Sequence, residues 1–576
     1  MLKKHARLLR LSFLGLAAFV MLLFGRASIP PFDRDEPRYM EASAQMLRSH
    51  DFIDVRFQDA PRYLQPAGIY WLESASTALA SALTGQSQER AVWPYRIPSL
   101  LAMTASVVLT AVIGGALFGE LAGLWAGAIL LASVLVMAEG RMATIDSCLL
   151  LSILLTQLAL TRALKDREAD RPTALRVALL YWGAIGCGLM LKGPVVLVPA
   201  LGTPLALALV ERRADLWRRM RPAWGWLVAI AVAMPWFIAI GIVSHGEFFR
   251  RAVGHNFLGK VASGQEAHGL PPGYHLLVFV LAFWPGSYFA AAVASQVWRQ
   301  RTAPAVRYLL CWIIPHWLVF EAIATKLPHY VLPTYPAIAI LIAGLLFRGG
   351  ATWRNGPQSR WGRVLLGGYG VAWCLVGCLL VLAGPVLLWR LEHQISAQAL
   401  VLAGGALPLI GLSMVLIWRL ELQRALLCVL VAAGLLYVEL FTFVIPNLNT
   451  IWLAPRLAAL VEQEKPCPVT RVYSVSFSEP SLVFLLGGQV VLSSPVGAAG
   501  GLLTDPACAA VLLATRDRPL LLDALGAQKN RLRAHGQVQG MNYSNGRTLD
   551  ISLYTLAPEA AAPASSSPSP AATGTP

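Results

Sequence analysis

Apolar residues in this chain run unbroken for about 18 to 25 positions at a time, with polar residues gathered in short stretches between. As helices, such runs match a bilayer hydrocarbon core of about 30 Å. They predict an α-helical polytopic membrane protein with about thirteen transmembrane helices. The runs are 9–29, 96–118, 121–138, 147–164, 176–191, 194–211, 223–243, 273–297, 306–324, 330–347, 364–389, 399–418 and 425–445. Lys3, Lys4 and Arg7 precede the first run as in a signal peptide. Arg26-Ala27-Ser28 then leads into Ile29-Pro30-Pro31 instead of a small-residue cleavage site, so the run reads as a retained span.

Charge assigns sides to the connections. Lys3–Arg10, Arg162–Arg176, Arg212–Arg221, Arg299–Arg307, Arg348–Arg363 and Arg419–Arg424 are rich in Lys and Arg, which places them in the cytoplasm. The alternate connections then face the periplasm of a bacterial inner membrane: a long loop 30–95, 139–146, the turn at Lys192, 244–272, 325–329, 390–398 and everything after 446. The amino terminus is expected in the cytoplasm and the carboxyl terminus outside.

The pattern changes after the last run. Residues 1–446 form the transmembrane domain, and 447–556 predict a periplasmic α/β domain of 110 residues. Its expected strands are Thr470–Phe477, Ser481–Ser494, Ala507–Thr515 and Thr548–Leu556, with a short helix at Pro519–Ala527. Residues 557–576 are Ala, Pro and Ser, too poor in large apolar groups to fold, and are expected to be disordered. Six of eight cysteines lie in apolar runs; Cys467 and Cys508 alone belong to the outer domain. In an oxidising compartment they could pair, the alternative being two unrelated buried thiols.

Composition adds one exclusion. Hydrophobic residues make up 56% of the 576, charged residues 14%, and the net charge is +16. A basic excess of that size can signify nucleic acid, but here it is dispersed between spans as topology signals, so no nucleic-acid partner is expected.

Unusual polar groups fall on the expected periplasmic side, where ionisable residues near membrane depth are costly. Asp33-Arg34-Asp35-Glu36-Pro37-Arg38-Tyr39 could hold a general base or form a solvated juxtamembrane turn. Asp146, in Glu139-Gly140-Arg141-Met142-Ala143-Thr144-Ile145-Asp146, could act in a site or cap the helix it begins. His255-Asn256-Phe257-Leu258-Gly259-Lys260 follows Arg250 and Arg251, and Lys326-Leu327-Pro328-His329-Tyr330 leads into a run broken by Pro333 and Pro336. A cation with a tyrosine hydroxyl suits a phosphate, and Lys with Tyr equally suits interfacial anchoring. In loop 30–95, Arg62-Tyr63-Leu64-Gln65-Pro66 and Gly68-Ile69-Tyr70-Trp71-Leu72 read as amphipathic segments able to lie along a membrane and wall a site.

In this order the motifs resemble the GT-C glycosyltransferases that use polyprenyl-phosphate sugars, above all the lipid A aminoarabinose transferases and the protein O-mannosyltransferase superfamily. The resemblance runs from about residue 30 to 340: Asp35-Glu36-Pro37-Arg38-Tyr39, Pro66 with Tyr70-Trp71, Arg141 with Asp146, Leu191-Lys192-Gly193-Pro194, His255-Asn256 and Lys326 to Pro333. It implies a polyprenyl-phosphate sugar donor and lipid A or another envelope glycolipid as acceptor, in contact with the lipid bilayer. Asp35 would activate the acceptor, supported by Asp146, and Lys260 and Tyr330 would bind the donor phosphate together with Arg62 and Gln65. His255 and Glu36 would contact substrate or a divalent metal. Two departures matter: relatives carry Lys before the proline where this chain has Gln65, which brings no cation, and Leu64 removes a possible metal ligand.

By the same analogy the transfer is inverting. Asp35 takes the acceptor proton, and the leaving phosphate meets Lys260 and Tyr330. A protein hydroxyl is the competing acceptor. A lipid-linked-sugar transporter is the non-enzymatic alternative.

Overall fold

The long apolar runs are helices, as hydrocarbon requires of a chain that must satisfy its own backbone. The computed structural model describes residues 2–252, 254, 270–347 and 360–557. The expectations for His255, Lys260, the connection at 348–359 and the tail 558–576 therefore lie outside the described residues. The chain divides into two units, Met1–Asn449 and Thr450–Pro576, three residues beyond the expected boundary.

Ten helices among the described residues are long and apolar enough to cross a bilayer. One of them, Leu175–Glu211, doubles back at a 3-10 turn over Gly193–Val196. The proof is in its ion pairs. Lys192 meets Asp146 at one end of helix Asp146–Glu168, and Glu211 meets Arg167 near the other. Gly193 has φ +60°, which a side chain would resist.

Two expected spans are broken. Run 121–138 divides into Glu120–Leu131 and Val134–Glu139, and run 273–297 into Tyr274–Ala282 and Gly286–Arg299. The breaks face one another: the Val134 N–H donates to the Trp284 carbonyl at 3.1 Å, and Trp373 Nε1 donates to the Pro285 carbonyl at 3.0 Å. Each interruption thus satisfies backbone that lipid could not. The thirteen expected runs become ten long helices, one of them folded back, plus these two divided ones.

Loop 30–95 contains helices Asp35–Ser49 and Gly68–Thr84 and a small hairpin pairing Arg56–Phe57 with Ala60–Pro61. The second helix buries Ile69, Tyr70, Glu73 and Thr77 and exposes Leu72, Leu79 and Leu83, the amphipathic division that a membrane surface favours.

The C-terminal unit has a five-stranded sheet in the order Val490–Leu492, Arg471–Ser474, Ala509–Ala514, Arg547–Leu556, Leu532–Asn542. The first three strands are parallel and the last two pair antiparallel. Ala509–Ala514 is buried throughout, as an apolar run in mid-sheet should be. Two expectations are corrected. Ser481–Ser494 begins as helix Pro480–Leu485, because a short apolar run after proline suits either state, and only Val490–Leu492 is strand. Strand Leu532–Asn542 is polar and contains two glycines, so it carried no strand pattern; it lies at the sheet edge, paired only with Arg547–Leu556. Cys467 and Cys508 are joined in a disulfide with Cα atoms 5.5 Å apart.

Candidate active site

The site begins where helix Asp35–Ser49 starts with two acids in its first turn, which the helix dipole favours. Consecutive residues on a helix point about 100° apart, so these two carboxylates have opposite fates. Asp35 faces outward, its side chain 74% exposed and 3.8 Å from Arg38. Glu36 turns inward and is 1% exposed. It accepts from Arg96 Nε and Nη2 at 2.7 and 2.8 Å, and from the Phe32 and Ala143 N–H groups at 2.8 Å each. Arg96 also donates to the carbonyls of Arg26, Ile29 and Pro30. The expectation that Glu36 touches substrate or metal is therefore corrected: its lone pairs are committed to holding the loop onto the bundle.

From Asp35 a polar relay leads inward. Arg62 donates to the Tyr70 hydroxyl at 3.0 Å and lies 5.1 Å above the Tyr39 ring. Burial lowers the affinity of Arg62 for its proton, but Tyr70, Tyr39 and Asp35 outweigh that and hold it above the ordinary guanidinium range. The Tyr39 hydroxyl donates a short bond to Gln65 Oε1, which fixes the amide of Gln65 at a cavity wall.

That cavity, of about 300 Å³, gathers motifs from distant stretches of sequence. Its polar groups are Gln65, Asp146, Lys192, His329 and Tyr330; Phe237, Phe248 and Phe320 are among its apolar walls. Asp146 is the first residue of its helix, yet it makes no cap bond and instead accepts from Lys192 Nζ at 2.6 Å. The Lys192 ammonium lies 5.8 Å from the Tyr330 ring centre. His329 stands between two acids, Nδ1 3.7 Å from Glu139 and Nε2 3.8 Å from Asp146. Burial, then the charge of Asp146, pushes the Glu139 carboxyl above its usual range.

The segment carrying His329 and Tyr330, Pro328–Thr334, is held by its main chain. His275 Nε2 lies 3.2 Å from the Leu327 carbonyl and Nδ1 2.7 Å from Glu321, while His316 Nε2 lies 3.0 Å from the Tyr330 carbonyl. A second cavity of about 410 Å³ is lined by Arg38, Arg62 and Arg251, and shares Leu64 with the first.

Of the expected residues, Asp146, Tyr330 and Gln65 meet in the first cavity, while Arg62 lines the second, next to Arg38. Lys192, Glu139 and His329 were not assigned roles from sequence. Lys192 had a signal, a lone cation closing an apolar run before Gly-Pro, but its partner lies 46 residues away. Among the described residues no three His, Cys, Asp or Glu side chains converge as a metal ion would require. With Leu64 apolar and Glu36 engaged, the described residues do not fit a divalent ion.

Comparison with known proteins bears on this arrangement. The solved structure of ArnT from Cupriavidus metallidurans bound to undecaprenyl phosphate superposes with a TM-score of 0.69 at 19% identity, covering 94% of this chain and 97% of that one. The chain has the ArnT fold. This ArnT-like chain also superposes on the oligosaccharyltransferase AglB of Archaeoglobus fulgidus, with a TM-score of 0.51 at 11% identity over 90% of this chain and 71% of that one. A family profile described as dolichyl-phosphate-mannose-protein mannosyltransferase matches residues 65–238 of the ArnT-like chain. Curated relatives include the undecaprenyl phosphate-alpha-4-amino-4-deoxy-L-arabinose arabinosyl transferase of Pseudomonas paraeruginosa, 27% identical over 57% of this chain and 59% of that protein. The same enzyme of Pectobacterium carotovorum is 26% identical over 54% of each chain. The ArnT-like chain thus matches just over half the length of these curated relatives.

Proposed function

We propose that this protein is a glycosyltransferase of the bacterial inner membrane. It moves a sugar from a polyprenyl-phosphate carrier to lipid A or a similar envelope glycolipid on the extracytoplasmic side, with inversion at the anomeric carbon. The observation that carries this reading is the first cavity. Gln65, an Asp146–Lys192 pair, a histidine and a tyrosine line a space otherwise walled by aromatic and aliphatic groups. A phosphate with a long apolar tail needs that combination. The ArnT of Cupriavidus metallidurans was solved bound to undecaprenyl phosphate, the curated relatives are named for undecaprenyl phosphate-linked aminoarabinose, and the Lys/Arg bias of the connections supports the orientation.

In this reading Asp35, exposed and beside the arginine-lined cavity, accepts the proton of an acceptor hydroxyl as it attacks the anomeric carbon. Arg38 and Arg62 orient an anionic acceptor there. On the opposite side the donor phosphate leaves against Lys192 and Tyr330.

The test is transfer of radiolabelled sugar from a panel of polyprenyl-phosphate donors to lipid A and to peptides, by purified protein beside Asp35→Asn. Asp35-dependent product on lipid A is expected, with Asp35→Asn slower by about 10²–10⁴-fold. Product on peptide alone transfers the reading to protein glycosylation, the activity in the matching family's description. Donor bound without product from any pair indicates a carrier-binding or transport protein.

A further inference from the structure

The positive groups of the first cavity are unequal to what the reaction asks of them. A polyprenyl-phosphate sugar is a phosphodiester with one negative charge. When its bond to the anomeric carbon breaks, the electron pair stays on the phosphate oxygen and leaves a monoester, whose second pKa is about 6. Charge on the phosphate therefore grows during the reaction. Lys192 is already 2.6 Å from a carboxylate, and Gln65 is neutral.

Among the described residues of the cavity wall, His329 is the one whose side chain ordinarily changes charge near neutral pH. Its ring is partly exposed and packs edge-on to Tyr330 with centres 5.1 Å apart. Its nitrogens face Glu139, from the preceding helix, and Asp146, from the next, at 3.7 and 3.8 Å. The Asp146 carboxylate at 3.8 Å favours an imidazolium, while both distances exceed the 2.7–2.9 Å of a tight charge-assisted bond. Among the described residues, the remaining charged group lining this space is Lys192, which draws on the same Asp146.

We propose that His329, as the imidazolium, is the catalytic acid on the leaving-group side. This rests on the glycosyltransferase reading above. The bond from the anomeric carbon to phosphate oxygen breaks as the bond to the acceptor oxygen forms. The acceptor proton passes to Asp35 and the His329 proton to the departing phosphate, so the products are the glycosylated acceptor and a singly protonated polyprenyl phosphate. Once the products leave, Asp35 releases its proton to solvent and the ring takes one from solvent, which restores both groups.

The test uses the full-length protein in lipid nanodiscs, with His329→Asn and His329→Lys beside wild type. Turnover is followed with radiolabelled polyprenyl-phosphate sugar across pH 5.5–9, roughly spanning histidine titration. Wild-type kcat should fall as pH rises through the titration of His329. His329→Asn should lower kcat about 100-fold, leave KM within about threefold and abolish that basic limb. His329→Lys should restore affinity for phosphate with no basic limb. In a second arm undecaprenyl phosphate alone is the probe: the ratio of wild-type to His329→Asn affinity should exceed about tenfold at low pH and approach one at pH 9, about where the neutral ring prevails. Wild-type turnover in His329→Asn, or a basic limb that survives the substitution, overturns the proposal. An affinity ratio unchanged across pH does so as well. No transfer by wild type from any donor defeats the functional reading and the acid role together, while the binding arm separately reports whether His329 meets the phosphate.

Discussion

Asp35 and Glu36 are neighbours in sequence, and exchanging each for a neutral residue should damage different properties of the protein. Glu36→Ala strands Arg96, itself 1% exposed, without its carboxylate and takes the acceptor from the Phe32 and Ala143 N–H groups. Removing one partner of a buried ion pair costs about 3–5 kcal/mol. The two lost main-chain bonds overlap with that figure, because the groups form one network, so the terms are not summed. A loss of about 3–5 kcal/mol is a large fraction of the 5–15 kcal/mol typical of a folded domain. Glu36→Gln is only partly milder, since its amide N–H₂ meets donors where the carboxylate met them with lone pairs. The assay is size-exclusion chromatography of detergent-solubilised protein after stepwise heating. Glu36→Ala should lose its monodisperse peak several degrees below wild type, whereas Asp35→Asn should keep the peak and lose transfer. A Glu36→Ala protein as heat-stable as wild type yet inactive would refute the argument and return Glu36 to the chemistry.

Three further outcomes follow from the structure. Glu41 pairs with Arg48 at 2.5 Å, but burial dominates and pushes its carboxyl up to about 7. A carboxyl raised in the folded state is stabilising to protonate, so stability should fall by about 3 kcal/mol as pH rises from 4.5 to about 7, read as a falling melting temperature, and Glu41→Gln should flatten that slope. Gln65→Lys adds a cation to the first cavity and should tighten binding of undecaprenyl phosphate severalfold in a direct binding measurement; unchanged affinity would mean that the side chain does not face the phosphate. Replacing both Cys467 and Cys508 by Ser opens a loop spanning 41 residues and should cost the C-terminal unit about 4 kcal/mol, read as faster limited proteolysis.

Hydropathy made the long helices legible because a bilayer leaves few alternatives, and the reversal at Lys192-Gly193-Pro194 was visible as a cation and two turn residues between apolar runs. The breaks near Ser133 and Trp284 were not, since their freed main-chain groups find partners only in the packed bundle, in each other and in Trp373. Asp146 and Tyr330 were legible as unusual polar groups at span ends, and Gln65 only as a departure from the motif of the resembled family; that Lys192 joins them depends on helices 146–168 and 175–192 packing antiparallel. Asp35 and Glu36 could not be told apart without the phase of their helix against Arg96. Edge strand Leu532–Asn542 shows the opposite limit: its position comes from pairing with Arg547–Leu556 and not from its own composition.

The way His275 and His316 grip the segment Pro328–Thr334 has a consequence for how substitutions in it are read. Both rings reach main-chain carbonyls, those of Leu327 and Tyr330, and neither depends on the side chains at 329 and 330. The backbone is thereby a fixed socket into which different side chains can be fitted. Substitutions at 329 and 330 therefore probe chemistry and not folding, because the segment's main chain stays anchored whichever side chains it carries.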